Sequence, residues 1–131
     1  MTSDTGHIAI IGMSGRFPGA SDLKQYWTNL AAGVESISFF SNEQLLASGL
    51  SMDQFSGGTY IPAKGIVKGA SEFDAKAFDF SERDATLMDP QFRVFLEVVL
   101  TALEDAGDVG DGDRRTGVFA GAGPNTYQDY L

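Results

Sequence analysis

Few side chains in this sequence are of the types on which covalent or metal-dependent catalysis depends. Cysteine is absent, and His7 is the single histidine among 131 residues. These counts exclude a cysteine thiolate nucleophile, a cysteine-ligated zinc site and a pair of catalytic histidines within this chain. His7 lies near the amino terminus, outside any cluster of metal ligands, and we interpret it as structural.

Two glycine-containing loops, residues 12–15 and 121–123, follow apolar segments, as phosphate-binding loops do. Residues 12–15 lack the Gly-Lys-Ser/Thr ending of a P-loop and the G-x-G-x-x-G spacing of dinucleotide-binding folds. Residues 121–123 lead into Pro124 rather than into a long helix. Ser14 lacks the G-x-S-x-G surroundings of a nucleophilic serine. We therefore interpret residues 12–15 as a turn that permits close packing.

The acidic residues form no catalytic or metal-binding pattern. Residues 108–113 contain three aspartates and two glycines, but the full calcium-loop pattern with its terminal glutamate is missing, so a solvated turn is favoured. Glu97, Glu104 and Asp105 fall on a predicted helix, as surface or ion-pair residues. We assign no catalytic, cofactor-binding or metal-binding residue within this chain.

Two apolar segments of the sequence predict buried strands. Residues 8–11 are consecutively apolar and end at Gly12, which is typical of a strand buried on both faces. Residues 116–121 predict a second buried strand, and residues 66–67 a short one. The order strand, helix, helix, strand predicts an α/β fold with a parallel sheet in a single domain.

Helices are predicted between these strands. The first is capped by Ser21 or Asp22 and runs to about Ala32, with Gly33 at the position after its end. Its apolar stripe repeats at helical spacing and comprises Leu23, Tyr26, Trp27 and Leu30. Residues 42–47 predict a further helical turn.

The best-defined helical region is residues 81–107. Residues 81–84 resemble a capping box, which opens a first helical stretch. Asp89 as N-cap and Pro90 at the first helical position predict the start of a second helix, which Gly107 ends. Its broad apolar face indicates a helix that packs on more than one side.

The overall composition restricts the partners. The net charge of −9, from 18 acidic and 9 basic residues, argues against nucleic-acid binding and against a main docking face for an acidic carrier protein. No apolar stretch reaches the ~18 residues that a transmembrane helix needs. The first residues have no basic segment typical of a signal peptide. A cytoplasmic location without membrane contact is therefore expected.

Several segments in one order resemble the ketosynthase domains of modular polyketide synthases. Residues 8–20 resemble the family's opening, and residues 88–97 resemble its MDPQxRxxLE signature. The remaining similar segments are residues 26–33, 73–75, 102–107 and 117–127. The resemblance extends over nearly the whole chain, from about Ile8 to Tyr127.

Five positions depart from the family pattern. Ala77, Asp79 and Glu82 stand where the family usually shows phenylalanine, glycine and proline. Leu100 replaces a common tryptophan, and Phe92 replaces a common polar residue. All five lie in supporting segments, so they bear on local packing.

The resemblance implies the amino-terminal segment of the first half of a thiolase-like (αβαβα) fold. It also implies decarboxylative Claisen condensation of acyl and malonyl-type thioesters carried on the phosphopantetheine of acyl carrier protein, by a homodimer. The family's catalytic cysteine and two histidines match no position here. By this resemblance, residues 1–131 form an incomplete ketosynthase domain that is inactive alone and needs the remainder of the polypeptide.

The resemblance carries over supporting residues only. Asp89, Pro90 and Gln91 begin the long helix, and Arg93 with Glu97 are spaced for an internal ion pair. Asn125 and Tyr127 lie in a segment similar to the family region near the substrate entrance and the dimer interface.

Three interpretations stay open at this point. The chain is an amino-terminal piece of a full ketosynthase, a free-standing docking, dimerisation or scaffold remnant of a synthase, or an unrelated small α/β binding domain. The first two predict large exposed apolar surfaces on the isolated chain.

Overall fold

The computed structural model describes residues 6–107, 116–125 and 127. The chain divides into two compact units, Arg16–Lys68 and the combination of Met1–Gly15 with Gly69–Leu131. None of the described helices is both long enough and apolar enough to span a bilayer.

The unit Arg16–Lys68 begins with helix α1, Leu23–Ala31. The Asp22 side chain caps it by accepting a hydrogen bond from the Gln25 amide at 2.8 Å. Gly33 follows the helix with φ +63°, a conformation that glycine adopts without a steric penalty. The predicted cap and end of this helix are confirmed.

The same unit contains strand β1, Ile37–Phe39, helix α2, Asn42–Ala47, helix α3, Met52–Phe55, and strand β2, Ala63–Gly65. Helix α2 matches its predicted limits, because Ser41 and Gln44 form a reciprocal capping box. Leu45 and Phe55 are buried in this unit. The predicted strand at residues 66–67 lies just after the observed one.

The second unit contains helix α4, Glu82–Leu87, and helix α5, Pro90–Asp105. Ser81 caps α4 by accepting a hydrogen bond from the Asp84 amide. The predicted N-cap at Asp89 and the first helical position at Pro90 are confirmed. Gly107 has φ +69° and ends α5 as predicted.

Gly12 brings the amino-terminal segment against the last turns of α5. A Cβ atom at this position would clash with the Ala102 carbonyl oxygen and would lie 2.7 Å from the Ala106 nitrogen. The next residue, Met13, donates its amide hydrogen to the Asp105 carboxylate at 2.9 Å. The predicted close-packing role of this glycine turn is confirmed, and Asp105 serves as its acceptor.

The predicted parallel sheet is wrong for the described residues. Their one sheet is the antiparallel pair β1–β2, in which Ile37 pairs with Gly65 and Phe39 with Ala63. Residues 8–11 and 116–121 belong to no strand. An apolar sequence favours an extended, buried backbone, but a strand forms only where a second strand supplies the hydrogen bonds, and these segments have no such partner among the described residues.

The expected exposure of apolar surface is confirmed. Ile8 is 97% exposed and Phe119 is 98% exposed in the unit that contains α5. In the other unit, Trp27 is 68% exposed and Phe39 is 72% exposed. Side chains of this size are normally covered in a complete domain.

A tight turn precedes α4 and contains two of the departures from the family pattern, Ala77 and Asp79. Phe73 stacks on Phe78 with ring centroids 5.2 Å apart, and the Phe80 ring lies 6.2 Å from Phe73. Asp79, between the last two rings, has φ +58° and is the one described non-glycine residue in the left-handed region. The glycine that the family usually shows here is therefore explained by backbone conformation.

Candidate functional site

Most of the sequence-predicted site residues meet where α4 ends and α5 begins, which we call the α4–α5 junction (residues 86–93 with 123–125 and 127). Within the part of the chain that the structure describes, the two buried polar side chains are Asp89 and Arg93, at 5% and 8% exposure. Buried charged groups require hydrogen-bond partners, so their contacts define the junction.

Asp89 is held by the residue two positions later. Its Oδ1 atom accepts a hydrogen bond from the Gln91 backbone amide at 2.8 Å, and its Oδ2 atom accepts one from the Gln91 side-chain amide at 3.2 Å. Both carboxylate oxygens therefore serve the first turn of α5, whose unpaired amides and positive dipole end favour an anionic cap.

Arg93 points back toward α4. Its Nε atom donates to the Met88 carbonyl at 2.8 Å, and its Nη2 atom donates to the Thr86 carbonyl at 3.4 Å. These carbonyls lie at the carboxyl end of α4, where a cation is favoured by the helix dipole. Helical side chains lean toward the helix amino terminus, which explains this direction.

The ion pair suggested between Arg93 and Glu97 is not among the contacts described for Arg93. Its guanidinium group instead donates to carbonyl groups toward α4, on the amino-terminal side of Arg93. Glu97 is half-buried on α5.

Tyr127 completes the contacts of Arg93. Its hydroxyl accepts a hydrogen bond from Arg93 Nη2 at 3.0 Å and donates one to the Thr86 carbonyl at 3.0 Å. The Arg93 guanidinium carbon also lies 5.4 Å from the centre of the Tyr127 ring, within the range of a cation–π interaction. Arginine, tyrosine and the end of α4 thus form one closed network.

The segment before Tyr127 has a second attachment to α5. The Gly123 amide donates to the Gln91 Oε1 atom at 3.0 Å. The exposed Asn125 side chain accepts a hydrogen bond from the Tyr127 amide at 3.0 Å, which forms a local turn between the two attachments. The side-chain amide of Gln91 is oriented by Asp89, so both attachments depend on the start of α5.

Sequence reasoning placed Asp89, Pro90, Gln91, Arg93 and Glu97 in one motif and Asn125 and Tyr127 in another. The structure brings the first four together with Asn125 and Tyr127, and it adds Thr86 and Gly123, which no pattern in the sequence singled out. The two attachments connect residues 32 and 34 positions apart. Local spacing carries no signal for contacts at that separation.

The junction is suited to holding the backbone in place, and the hydroxyl groups of Thr86 and Tyr127 both donate to carbonyl oxygens. Its carboxylate is used in capping, its guanidinium is used on carbonyl groups and a hydroxyl, and no group of three or more metal-ligand side chains occurs among residues 6–107, 116–125 and 127. The aspartates and glycines of residues 108–113 lie outside the described residues.

Comparison with known families gives one match over nearly the whole chain. Residues 5–131 match the model of the beta-ketoacyl synthase, N-terminal domain. The chain is 38% identical over 124 residues to polyketide synthase PksN of Bacillus subtilis. It is 40% identical over 121 residues to one of the phenolphthiocerol/phthiocerol polyketide synthase polypeptides of Mycobacterium tuberculosis.

Solved structures similar to this chain include ketosynthases. Ketosynthase twelve of the bacillaene polyketide synthase from Bacillus amyloliquefaciens matches 73% of the chain with a TM-score of 0.65 at 38% identity. The module 1 ketosynthase of the bacillaene synthase from the same species matches 76% with a TM-score of 0.61 at 45% identity. The fold is therefore α/β and corresponds to part of the thiolase-like ketosynthase fold.

The matched proteins are far longer than this chain. The match covers 95% of the chain but 2% of polyketide synthase PksN, and 92% of the chain but 8% of the mycobacterial synthase polypeptide. It covers 17% of each of the two ketosynthase structures.

Proposed function

Because the chain belongs to the beta-ketoacyl synthase family, we propose that it is the amino-terminal part of a ketosynthase domain that, when complete, condenses acyl and malonyl-type thioesters in polyketide or fatty-acid biosynthesis. The observation that carries the proposal is the family match over residues 5–131. The six ordered segments that resemble ketosynthases all lie within the matched residues and agree with this match.

The chemistry that this proposal assigns to the complete domain has defined steps. A cysteine thiolate takes the acyl group from the phosphopantetheine of acyl carrier protein. Loss of carbon dioxide from the malonyl-type thioester leaves an enolate, which two histidines stabilise. The enolate carbon then attacks the acyl carbonyl, a carbon–carbon bond forms, and the cysteine leaves as the thiolate.

This chain supplies none of those three catalytic groups. It contains no cysteine, and its one histidine, His7, precedes every element of the fold. We therefore propose that residues 1–131 are one incomplete domain, inactive alone, which binds no cofactor itself. Its partners are the remainder of the ketosynthase polypeptide, acyl carrier protein and a second copy in a homodimer, and a cytoplasmic location stays a prediction.

Within this proposal, Asn125 and Tyr127 border the substrate entrance or the dimer interface. Asn125 is exposed and able to contact a partner, whereas the Tyr127 hydroxyl is already engaged by Arg93 and Thr86. Asn125 is therefore the stronger candidate for an intermolecular contact.

Two measurements test the proposal. The intact mass of the polypeptide from its native source is expected to lie far above 14.0 kDa. That polypeptide, incubated with an acyl thioester, is expected to gain the mass of one acyl group on a cysteine beyond Leu131, whereas the isolated chain is not. A native mass near that of this chain would contradict the catalytic proposal and favour a docking or scaffold role.

A further inference from the structure

The segment that ends at Tyr127 is attached to the start of α5 at two points. Gln91 holds the Gly123 amide, and Arg93 holds the Tyr127 hydroxyl, each at 3.0 Å. The attached residues are four positions apart, and Asn125 closes a turn between them. Attachment at two points fixes both the position and the direction of a short segment.

The groups that make these attachments are themselves fixed. Gln91 is oriented by the buried Asp89 carboxylate, and Arg93 is buried and bonded to two carbonyls of the α4 end. A side chain that is locked by its own hydrogen bonds can hold a neighbour within tenths of an ångström, which is the accuracy that reacting groups require.

We infer that Gln91, Arg93 and Tyr127 are positioning residues, which set the path of the chain that continues beyond Tyr127. This inference rests on the proposed function, in which that continuation leads to the catalytic cysteine. The hydrogen bonds of the α4–α5 junction would then control how the nucleophile is presented, without a contact from Gln91 or Arg93 to the substrate.

Two single substitutions test the inference in the full polypeptide that carries this chain. Tyr127→Phe keeps the ring but removes the hydroxyl that bonds Arg93 and Thr86. Gln91→Met keeps the side-chain length but removes the acceptor for the Gly123 amide. Tyr60→Phe makes the same chemical change at a tyrosine whose hydroxyl has no hydrogen bond among the described residues, and it serves as the matched control.

Steady-state condensation kinetics give the first readout. We expect kcat to fall at least about fivefold in Tyr127→Phe and in Gln91→Met, because misplacement of a reacting group by fractions of an ångström lowers the rate of the chemical step. The KM for the carrier-bound substrate is expected to stay within about twofold, because the groups that are removed, the Gln91 amide and the Tyr127 hydroxyl, bond within the chain rather than to the substrate. Tyr60→Phe is expected to match the wild type in both parameters.

Hydrogen–deuterium exchange gives a readout that does not require activity. We expect faster exchange in the peptide that contains Gly123 and Tyr127 for both variants, and no change there for Tyr60→Phe. Unchanged exchange in both variants overturns the inference whatever the kinetics show. Faster exchange with an unchanged kcat also overturns it, because the attachments would then serve stability alone.

The failure of the proposed function would look different from the failure of this inference. An inactive wild-type polypeptide, with no acylated cysteine, refutes the proposed function while the exchange measurement still decides whether the attachments hold the segment. If Tyr127→Phe does not fold, Gln91→Met decides, since it leaves the Arg93 network intact.

Discussion

The turn at Asp79 offers a direct test of the relation between backbone conformation and family pattern. Asp79 has φ +58°, its side chain is exposed, and its one described hydrogen bond is the backbone amide to the Lys76 carbonyl. A substitution at this position therefore changes the conformational energy of the backbone and leaves side-chain contacts intact. We predict that Asp79→Gly stabilises the protein and that Asp79→Ala destabilises it.

The expected magnitudes follow from two opposing effects. The left-handed conformation costs an ordinary L-residue about 1–2 kcal/mol, and aspartate less, since aspartate is several-fold enriched in this region relative to most residue types. Glycine removes that penalty, but its greater conformational freedom in the unfolded chain lowers the stability by about 0.5–1 kcal/mol. The net stabilisation by Asp79→Gly is thus about 0.5 kcal/mol, and the loss in Asp79→Ala is of similar size.

The free energy of unfolding in urea, measured on the polypeptide that carries this chain, is the appropriate assay. Asp53→Gly is the control, because Asp53 is also exposed but lies in the first turn of α3, where glycine costs about 1 kcal/mol. The expected order of stability is Asp79→Gly, wild type, Asp79→Ala. If Asp79→Gly were destabilised as much as Asp53→Gly, the conformational explanation of the family glycine would be refuted.

Three further substitutions have expected outcomes in the same unfolding assay. Gly12→Ala places a methyl group against the backbone of the last turn of α5, 2.7 Å from the Ala106 nitrogen. We expect this substitution to lower the free energy of unfolding by about 1–3 kcal/mol. The control Gly57→Ala, whose added methyl group would have nothing within 4 Å, is expected to be nearly neutral. Ser81→Ala removes the cap of α4 and is expected to cost about 1 kcal/mol, whereas an equally stable variant would show that the cap is dispensable. Arg93→Lys keeps the charge but not the planar set of donors that bonds Met88 and Tyr127. We expect it to lower the free energy of unfolding by about 1.5–3 kcal/mol, the range for buried charged hydrogen bonds. A loss below about 0.5 kcal/mol would contradict the network.

The features that were predictable from the sequence are those that depend on neighbouring residues. The Asp22 cap, the Pro90 start of α5 and the glycine ends at Gly33 and Gly107 each require only a few adjacent positions, because capping satisfies local backbone groups. The limits of helices α1, α2 and α5 therefore agree closely with the prediction.

The features that were not predictable depend on distant partners. Residues 8–11 have the composition of a buried strand, but composition does not specify which strand pairs with them, and none of the described residues does. The contacts of Arg93 with Thr86 and Tyr127 arise from side-chain direction and from a segment 34 positions away. The pair of Arg93 with Glu97, which their spacing on one helix face suggested, stays a prediction.

Each residue of the segment Asp89–Arg93 that matches the family signature makes a different contribution to the structure. Asp89 caps α5, Pro90 occupies a position that needs no amide donor, Gln91 holds Gly123, and Arg93 holds Tyr127 and the end of α4. A single turn of helix therefore ends one helix, begins another and attaches a distant segment.

The departures from the family pattern are not among these residues. Glu82 replaces a proline at the first position of α4, where an acidic residue is also favoured by the helix dipole. Phe92 and Leu100 are 45% and 41% exposed on α5, so neither change disturbs a buried contact within the described residues. Asp79 alone occupies a conformation that its residue type disfavours. Phe92 is the one departure within residues 86–93, and its side chain takes no part in the hydrogen bonds there, so the departures leave the contacts of Asp89, Gln91 and Arg93 intact.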